Sequence, residues 1–363
     1  MPPEVLVRGA GPAGCALALL LRQGGRSVAI SRNEIEASAP PRPAFRPAFR
    51  PAFRPIALSH ASRLILERVG AWRALAATPI ATIHVSQQGG FGRTRISAAD
   101  ASVPALGYVL DYGSLLDALS SLVEERKIPP GQDPAGCLLA VHAEGASDET
   151  AKKDYGQEAV VALVSTRPGA AATAWERFTP EGPLALLPLG GRYCAVWGTR
   201  PDRARELCEA SEAGFLAELS QAFGRRAGEF TAVGERSRVP LALRVRPSRI
   251  GERAAYIGNA AQTLHPVAGQ GLNLALRDAW DLAQVLHGAG DPGDAAVLQR
   301  FARMRRVDAA ATVHVTDFLA RAFLGADPLG GLTRGFGLTV LDICLPARRF
   351  FARRMIYGAS ALP

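Results

Sequence analysis

Two glycine-rich turns, rather than any array of nucleophiles or metal ligands, hold the chemistry-bearing residues of this chain. The first is Gly9-Ala10-Gly11-Pro12-Ala13-Gly14. The second runs from Gly258-Asn259 through His265-Pro266 to Gly269-Gln270-Gly271-Leu272-Asn273. Glycine lets a backbone take φ > 0 and approach a ligand closely. A helix that starts just after such a turn presents unpaired N–H groups and a partial positive charge. Together these make a seat for an anion or for the electron-rich edge of a ring. A tight structural turn would also account for either stretch taken alone, and no Ser/His/Asp or metal-ligand constellation accompanies them.

The elements around the turns favour the seat. Glu4 to Arg8 reads as a strand, Cys15 to Arg22 as an apolar helix closed by Gly24-Gly25, and Ser27 to Ile30 as a second strand. A glycine turn between a strand and a helix, with a strand beyond, is the dinucleotide-binding βαβ context. The second strand of such a unit ordinarily ends in an acid that takes the ribose hydroxyls. Here Ser31 and Arg32 stand at that place, with Glu34 and Glu36 beyond it. Ala254 to Ile257 reads as the strand entering the second turn. An amphipathic helix leaves it near Gly271, with Leu274, Leu276, Trp280, Leu282 and Val285 on one face.

Between the turns, strands are expected at Ile83 to Ser86, Ala105 to Leu110, Ala159 to Ser165, Leu184 to Leu187, Tyr193 to Trp197 and Leu241 to Val245. Helices are expected at Ser62 to Val69, Leu115 to Val123 and Leu216 to Phe223. Such a strand-rich middle suggests a sheet-based substrate module. Beyond Leu286 the chain reads as helical, including Ala295 to Arg306 and Ala309 to Ala322. The fourfold-spaced prolines of Pro43-Ala44-Phe45-Arg46, repeated at 47–50 and 51–54, forbid a helix and mark an exposed extended loop, a slipped expansion or a peptide-recognition motif.

The composition is that of a soluble globular protein, with 48% hydrophobic and 21% charged residues. No run of about 18 apolar residues suggests a spanning helix, and no leader-type N-terminus is visible. The five cysteines are scattered without a CxxC pair, which points to a reducing cytoplasm. The net charge of +9 comes almost wholly from arginine, since only three of the 42 basic residues are lysines. That bias reflects base composition rather than a nucleic-acid surface. Near the C-terminus an apolar run, Leu338 to Pro346, precedes Arg348, Arg349, Arg353 and Arg354. It fits either peripheral membrane contact or a helix docked on the core.

The two turns, about 250 residues apart, are joined by further stretches that carry a family likeness. These are Arg54-Pro55-Ile56-Ala57-Leu58-Ser59, Gly107-Tyr108-Val109, Asp154-Tyr155-Gly156-Gln157, Ala174 to Leu189 and Gly258 to Asp278. With them the chain resembles the group A FAD-dependent aromatic hydroxylases, and within these the hydroxylases that act on polyprenylated phenols in ubiquinone biosynthesis. The likeness extends over nearly the whole chain.

The resemblance implies an α/β fold in which a Rossmann-like FAD-binding domain is interleaved with a mixed or antiparallel substrate sheet, followed by a helical C-terminus. Residues 1–75, 106–158 and 250–290 would form the FAD domain, 76–105 and 159–249 the substrate domain, and 291–363 the helical region. Gly9, Gly11, Pro12, Ala13 and Gly14 would hold the pyrophosphate, with Ser31 and Arg32 at the ribose and Arg54 also on the cofactor. Gly258 and Asn259 would contact the ribityl–phosphate region. Pro266, Gly269, Gly271, Leu272 and Asn273 would line the isoalloxazine ring, with His265 beside it in a structural or a catalytic role. Trp175 and Phe178 would either line a substrate channel or pack in the core.

The implied reaction is ring hydroxylation of a prenylated phenol by O₂ through a flavin C4a-hydroperoxide, with NAD(P)H or another donor as reductant. The implied setting is cytoplasmic, peripheral on the inner membrane face, in a quinone-biosynthesis assembly. Residues 128–153 are compressed relative to the family: about thirty residues of sheet are missing there, and Glu144 stands where relatives have the aspartate of an Asp-Gly pair. That departure supports an alternative, a non-catalytic member of the same assembly with weak or no FAD binding. A nicotinamide dehydrogenase built on the first turn alone would leave the second turn unexplained.

Overall fold

The computed structural model describes residues 2–31, 54–131, 136–145, 151–264, 269–322 and 328–358. Arg32, nearly all of the tandem repeat, His265 and Pro266 lie outside the described residues. The chain opens with β1 (Val5–Arg8), α1 (Pro12–Gln23) and β2 (Val28–Ser31). Next come β3 (Pro55–Ser59), α2 (His60–Val69), β4 (Thr78–Ile80), β5 (Thr82–Gln87), β6 (Arg93–Ser97), the short α3 (Ala98–Ala101), β7 (Gly107–Asp111) and α4 (Tyr112–Glu125). The middle comprises β8 (Leu139–His142), β9 (Ala151–Arg167), β10 (Thr173–Thr179), β11 (Gly182–Leu189), β12 (Arg192–Thr199), α5 (Pro201–Glu209), α6 (Glu212–Phe223) and β13 (Glu229–Val245). The last part comprises β14 (Ile250–Gly251), β15 (Ala254–Tyr256), β16 (Gln262–Thr263), α7 (Gln270–Leu286), α8 (Ala295–Ala322), α9 (Pro328–Ile343) and α10 (Leu345–Tyr357).

Three sheets organise these elements. The first has the order β14-β15-β8-β1-β2, parallel except at β14. Its apolar strands are buried, as parallel strands flanked by crossover helices require. α1 packs on it with Ala16, Leu17, Ala18 and Leu19 fully enclosed, alongside Leu276 and Leu282 of α7. Polar side chains at helix starts accept the first free N–H groups: Ser59 from Ser62 N at 3.2 Å and Asp111 from Ser114 N at 2.9 Å. The compressed stretch still supplies β8. Pro130 bridges to Ile30 on the outer edge of β2, and Leu138 N donates to the Glu4 carbonyl.

The second sheet has eight strands in the order β16-β13-β9-β12-β11-β10-β5-β6, all antiparallel except for the β5–β10 pair. α5 and α6 cover one of its faces, where Leu184, Leu186 and Trp197 meet Leu207, Phe215 and Phe223. A three-stranded sheet, β3-β7-β4, packs against the other face through Ile80, Val109 and Ala174. The α/β architecture with a mixed second sheet and a helical C-terminus is the expected one.

Several elements are longer than the sequence suggests. β9 and β13 extend well beyond Ala159–Ser165 and Leu241–Val245, because their polar outer residues are held by each other's backbone across three register shifts. The two helices expected at 295–306 and 309–322 are one continuous α8. Val307 and Asp308 contain no breaker, and Asp308 is fixed in a buried ionic network described below.

Candidate active site

The first turn starts where β1 ends. Gly9 has φ +115°, and its N–H donates to the Ser31 carbonyl at 2.8 Å. An added Cβ at Gly14 would overlap the Gly9 carbonyl oxygen, so α1 can approach the strand this closely only with glycine there. Pro12 occupies the first helical turn, where its missing N–H costs nothing. No acidic residue of α1 neutralises its N-terminus. The acid comes from elsewhere: the Glu144 side chain lies across the turn. A Cβ on Gly9 would stand 2.7 Å from Glu144 Cβ and Cγ, and one on Gly11 would stand 2.5 Å from its Oε1. A carboxylate therefore lies at the helix start to which a diphosphate would dock.

Basic and aromatic side chains line the adjoining sheet edge. Arg8 neighbours His142 in register, and the His142 ring stacks on Tyr256 at 4.9 Å. Arg246 lies 3.6 Å from the Tyr256 ring centre. Burial, with Arg8 and Arg246 adding to it, holds the His142 imidazole below its usual pKa. None of this quartet was singled out as a binding residue from the sequence, although the charge of Arg8 at the end of a buried strand was the available signal.

The second turn brings three elements together. At Gly258, φ is +56° and an added Cβ would meet Ala143 O at 3.3 Å, Ala13 Cβ at 3.4 Å and Ala275 Cβ at 3.5 Å. Gly258 is thus the contact between α1, the end of β8 and α7. Asn259 beside it is exposed. Gly269, at φ +59°, begins α7 with no side-chain cap, and a Cβ on Gly271 would meet nothing within 4 Å. Leu272 is half-buried. Asn273 fixes this loop: its Oδ1 accepts from Ser59 N and Ser62 Oγ, both at 2.7 Å. Its Nδ2 donates to Ala57 O at 3.0 Å and Gly269 O at 2.7 Å. Arg54 stands apart, exposed, with its guanidinium 4.6 Å from the Tyr112 ring centre.

A buried ionic network sets the direction of α7. Asp278 accepts from Arg305 Nε at 2.7 Å, Arg249 Nη1 at 3.0 Å and Gln262 Nε2 at 2.9 Å. Arg305 also reaches Asp281 and Asp308, each at 2.7 Å, and Arg277 Nε reaches Asp308 at 2.9 Å. Burial by itself would raise the Asp278 pKa, but Arg249 and Arg305 hold it below the usual value. For Asp281 burial wins, and its pKa is raised. The network joins α7, α8 and the β14–β16 region and so anchors the helix whose N-terminus forms the second turn.

Opposite the helix-covered side of the eight-stranded sheet is a face of different character. Across it the register places Thr94, Val85, Glu176, Ala185, Val196 and Val161 in one row. Thr94 is buried beneath α9, where its hydroxyl donates to the Leu338 carbonyl. The next five are only partly buried. Phe178, two residues beyond Glu176, is buried on this face. Trp175 points to the other side, into the α6 core: its Nε1 donates to the Tyr193 hydroxyl at 3.1 Å, and its ring meets Phe223 edge-on at 6.0 Å.

Residues 141–316 match the family described as an FAD binding domain. The chain is 30% identical to the ubiquinone hydroxylase UbiL of Rhodospirillum rubrum over 387 residues, 96% of this chain and 88% of that one. The chain belongs to this family of FAD-dependent hydroxylases. It is also 29% identical to the 3-demethoxyubiquinol 3-hydroxylase of Escherichia coli over 85% of this chain and 86% of that protein. A single-residue variant of Klebsiella pneumoniae HpxO, complexed with FAD, shares the fold, with a TM-score of 0.72 at 15% identity over 99% of this chain and all of that one. These likenesses support an FAD-dependent monooxygenase rather than the non-catalytic alternative.

The residues present suit FAD, as the hydroxylase family requires. The close-packed Gly9–Gly14 turn offers N–H groups for a diphosphate, and the uncapped start of α7 offers them to a ring edge. Glu144 must withdraw from Gly11 for a diphosphate to settle there.

Proposed function

We propose that this flavin monooxygenase hydroxylates the ring of a polyprenylated phenol on the way to ubiquinone. When bound, the flavin supplies two-electron reduction of O₂ and an electrophilic oxygen. The protein's share is to hold the cofactor, seat the phenol and exclude water. The observation that carries this reading is the sheet face described above. Val85, Ala185, Val196 and Val161 form an accessible apolar strip suited to a hydrocarbon tail. The neighbouring row on the same face, with Ile83, Ala174 and Leu187, packs on Val109, and Val109 pairs with Ala57, which lies against Gly269 of the second turn.

The C-terminal helices suit a membrane-borne substrate. Leu332, Phe336, Val340 and Ile343 of α9 are exposed at spacings of one helical face, with Phe350 exposed on α10. Arg349 and Arg353 are exposed beside Phe350. An apolar ridge flanked by arginines fits peripheral contact with an anionic bilayer. Among the described residues no helix is long and apolar enough to cross a membrane.

The test is the visible spectrum of the purified protein, identification of the released cofactor, and turnover of 2-prenylphenol with O₂ and NAD(P)H. Stoichiometric FAD and a hydroxylated ring are expected. A protein that stays colourless when FAD is added would sink the proposal.

A further inference from the structure

One buried acid is used by none of the interactions described so far. Glu176 lies in the middle of β10, flanked across the sheet by Val85 and Ala185. Its Oε1 has no contact with solvent and no hydrogen-bond partner, although part of the side chain remains accessible on the open face. A buried carboxylate oxygen without a donor is costly, and such groups are rare unless a ligand completes them. Burial alone raises this carboxyl from 4.5 to about 7, with no charged group acting on it. Over Thr94, at the end of its row, α9 brings the Leu338 carbonyl and, one strand position on, the Asp342 carboxylate, which accepts from Arg95 N at 2.8 Å; on the neighbouring row β4 and β7 bring Ile80 and Val109.

Taken with the reading of the substrate as a prenylated phenol, the geometry points to Glu176 as the residue that receives the substrate hydroxyl. The phenol O–H would donate to Oε1, and the hydrocarbon side of the ring would lie outward along Ala185, Val196 and Val161. The missing hydrogen bond is thereby made by the ligand, in a setting where a donor to a carboxylate binds strongly. Where Glu176 is ionised it can take the proton outright. The O–H bond breaks, the proton passes to the carboxylate, and the electron pair stays on the phenol oxygen. That pair raises electron density at the ortho and para ring carbons, which an electrophilic oxygen attacks. The step needs no further reactant.

The experiment measures binding of 2-prenylphenol and of its O-methyl ether to the holoprotein by calorimetry, for wild type, Glu176→Gln and Glu176→Leu, with FAD content read separately on each preparation. Wild type should prefer the phenol over the ether by about tenfold or more, the scale of one hydrogen bond to a charged group. The preference should fall to within about twofold in E176L, which removes the acceptor, and persist in part in E176Q, whose amide oxygen still accepts. The wild-type preference should grow between pH 6 and pH 8 and stay flat in E176L. An undiminished preference in E176L, or a wild type that binds neither probe, overturns the assignment. Absence of FAD in all three proteins would count against the monooxygenase reading, while the phenol-to-ether ratio would still decide the role of Glu176.

Discussion

The buried carboxyl of Glu176 should leave a mark on stability that requires no substrate. In the unfolded chain it titrates at about its ordinary value of 4.5, and in the folded protein at about 7, from burial. Below pH 4.5 both states are protonated, and the group contributes no difference. Between pH 4.5 and 7 the unfolded state ionises while the folded state stays neutral, so stability falls as pH rises. Above pH 7 the loss is complete. At about 1.36 kcal/mol per pH unit over a gap of about 2.5 units, it amounts to about 3 kcal/mol. With an unfolding entropy of roughly 2.1 cal/mol/K per residue, the whole chain loses about 4 °C in Tm. Glu176→Gln removes the titration while keeping the shape. Thermal melts of wild type and E176Q at intervals from pH 5 to pH 8 should therefore nearly coincide at the acid end and separate steadily, the variant melting higher at pH 8. Other groups titrate in this window, but they are common to both proteins and cancel in the difference. Parallel curves would mean that the carboxyl is solvated. A wild type that gains on the variant as pH rises would mean that a cation pairs with it.

Arg305→Met should lower stability by roughly 3–5 kcal/mol, because it leaves Asp278, Asp281 and Asp308 buried without their shared guanidinium. Thermal melting with and without FAD would show whether the displaced α7 also costs cofactor; a loss below about 1 kcal/mol would show that water reaches the aspartates. Glu144→Gln should tighten FAD binding by roughly tenfold in fluorescence titrations, since a neutral amide replaces the carboxylate at Gly11. The gap between the two proteins should narrow as salt is raised, and weaker binding by E144Q would instead make Glu144 a cofactor ligand. Phe336→Glu combined with Ile343→Glu should abolish co-sedimentation with anionic vesicles while leaving Tm and FAD content unchanged, because both side chains are exposed; undiminished sedimentation would remove α9 from the membrane contact.

The parts of the site that were legible in the sequence are those whose constraints are local. The closeness of Gly14 to the Gly9 carbonyl and the left-handed backbone at Gly258 and Gly269 are met within a few residues of chain. Glycine at those spacings therefore announces them. The anchoring of the second turn is not local. Asn273 is satisfied by β3 and α2, and Arg305 by aspartates on two helices, so in the sequence they appear only as an asparagine after a turn and an arginine in a long amphipathic helix. The single 28-residue α8 was divided for the same reason. At its centre Asp308 looks like an interruption until its buried partners, Arg277 and Arg305, are known.

The strand carrying Trp175, Glu176 and Phe178 shows the limit most directly. Alternation in a strand assigns Trp175 and Glu176 to opposite faces, but it does not say which face a helix will cover. The large aromatic drew attention in the sequence, and the fold uses it to fill the α6 core beside Phe223. Its acidic neighbour is left on the accessible side, with an oxygen that nothing satisfies. Burial of an unpartnered carboxylate opposes folding, so a protein that keeps one there needs a compensating use for it. An acid within the apolar alternation of β10 and β11 was visible in the sequence. What could not be seen was that the row beyond it, through Ala185 and Val196 to Val161, stays open. That opening separates a carboxyl poised for a ligand from a mere defect in the core.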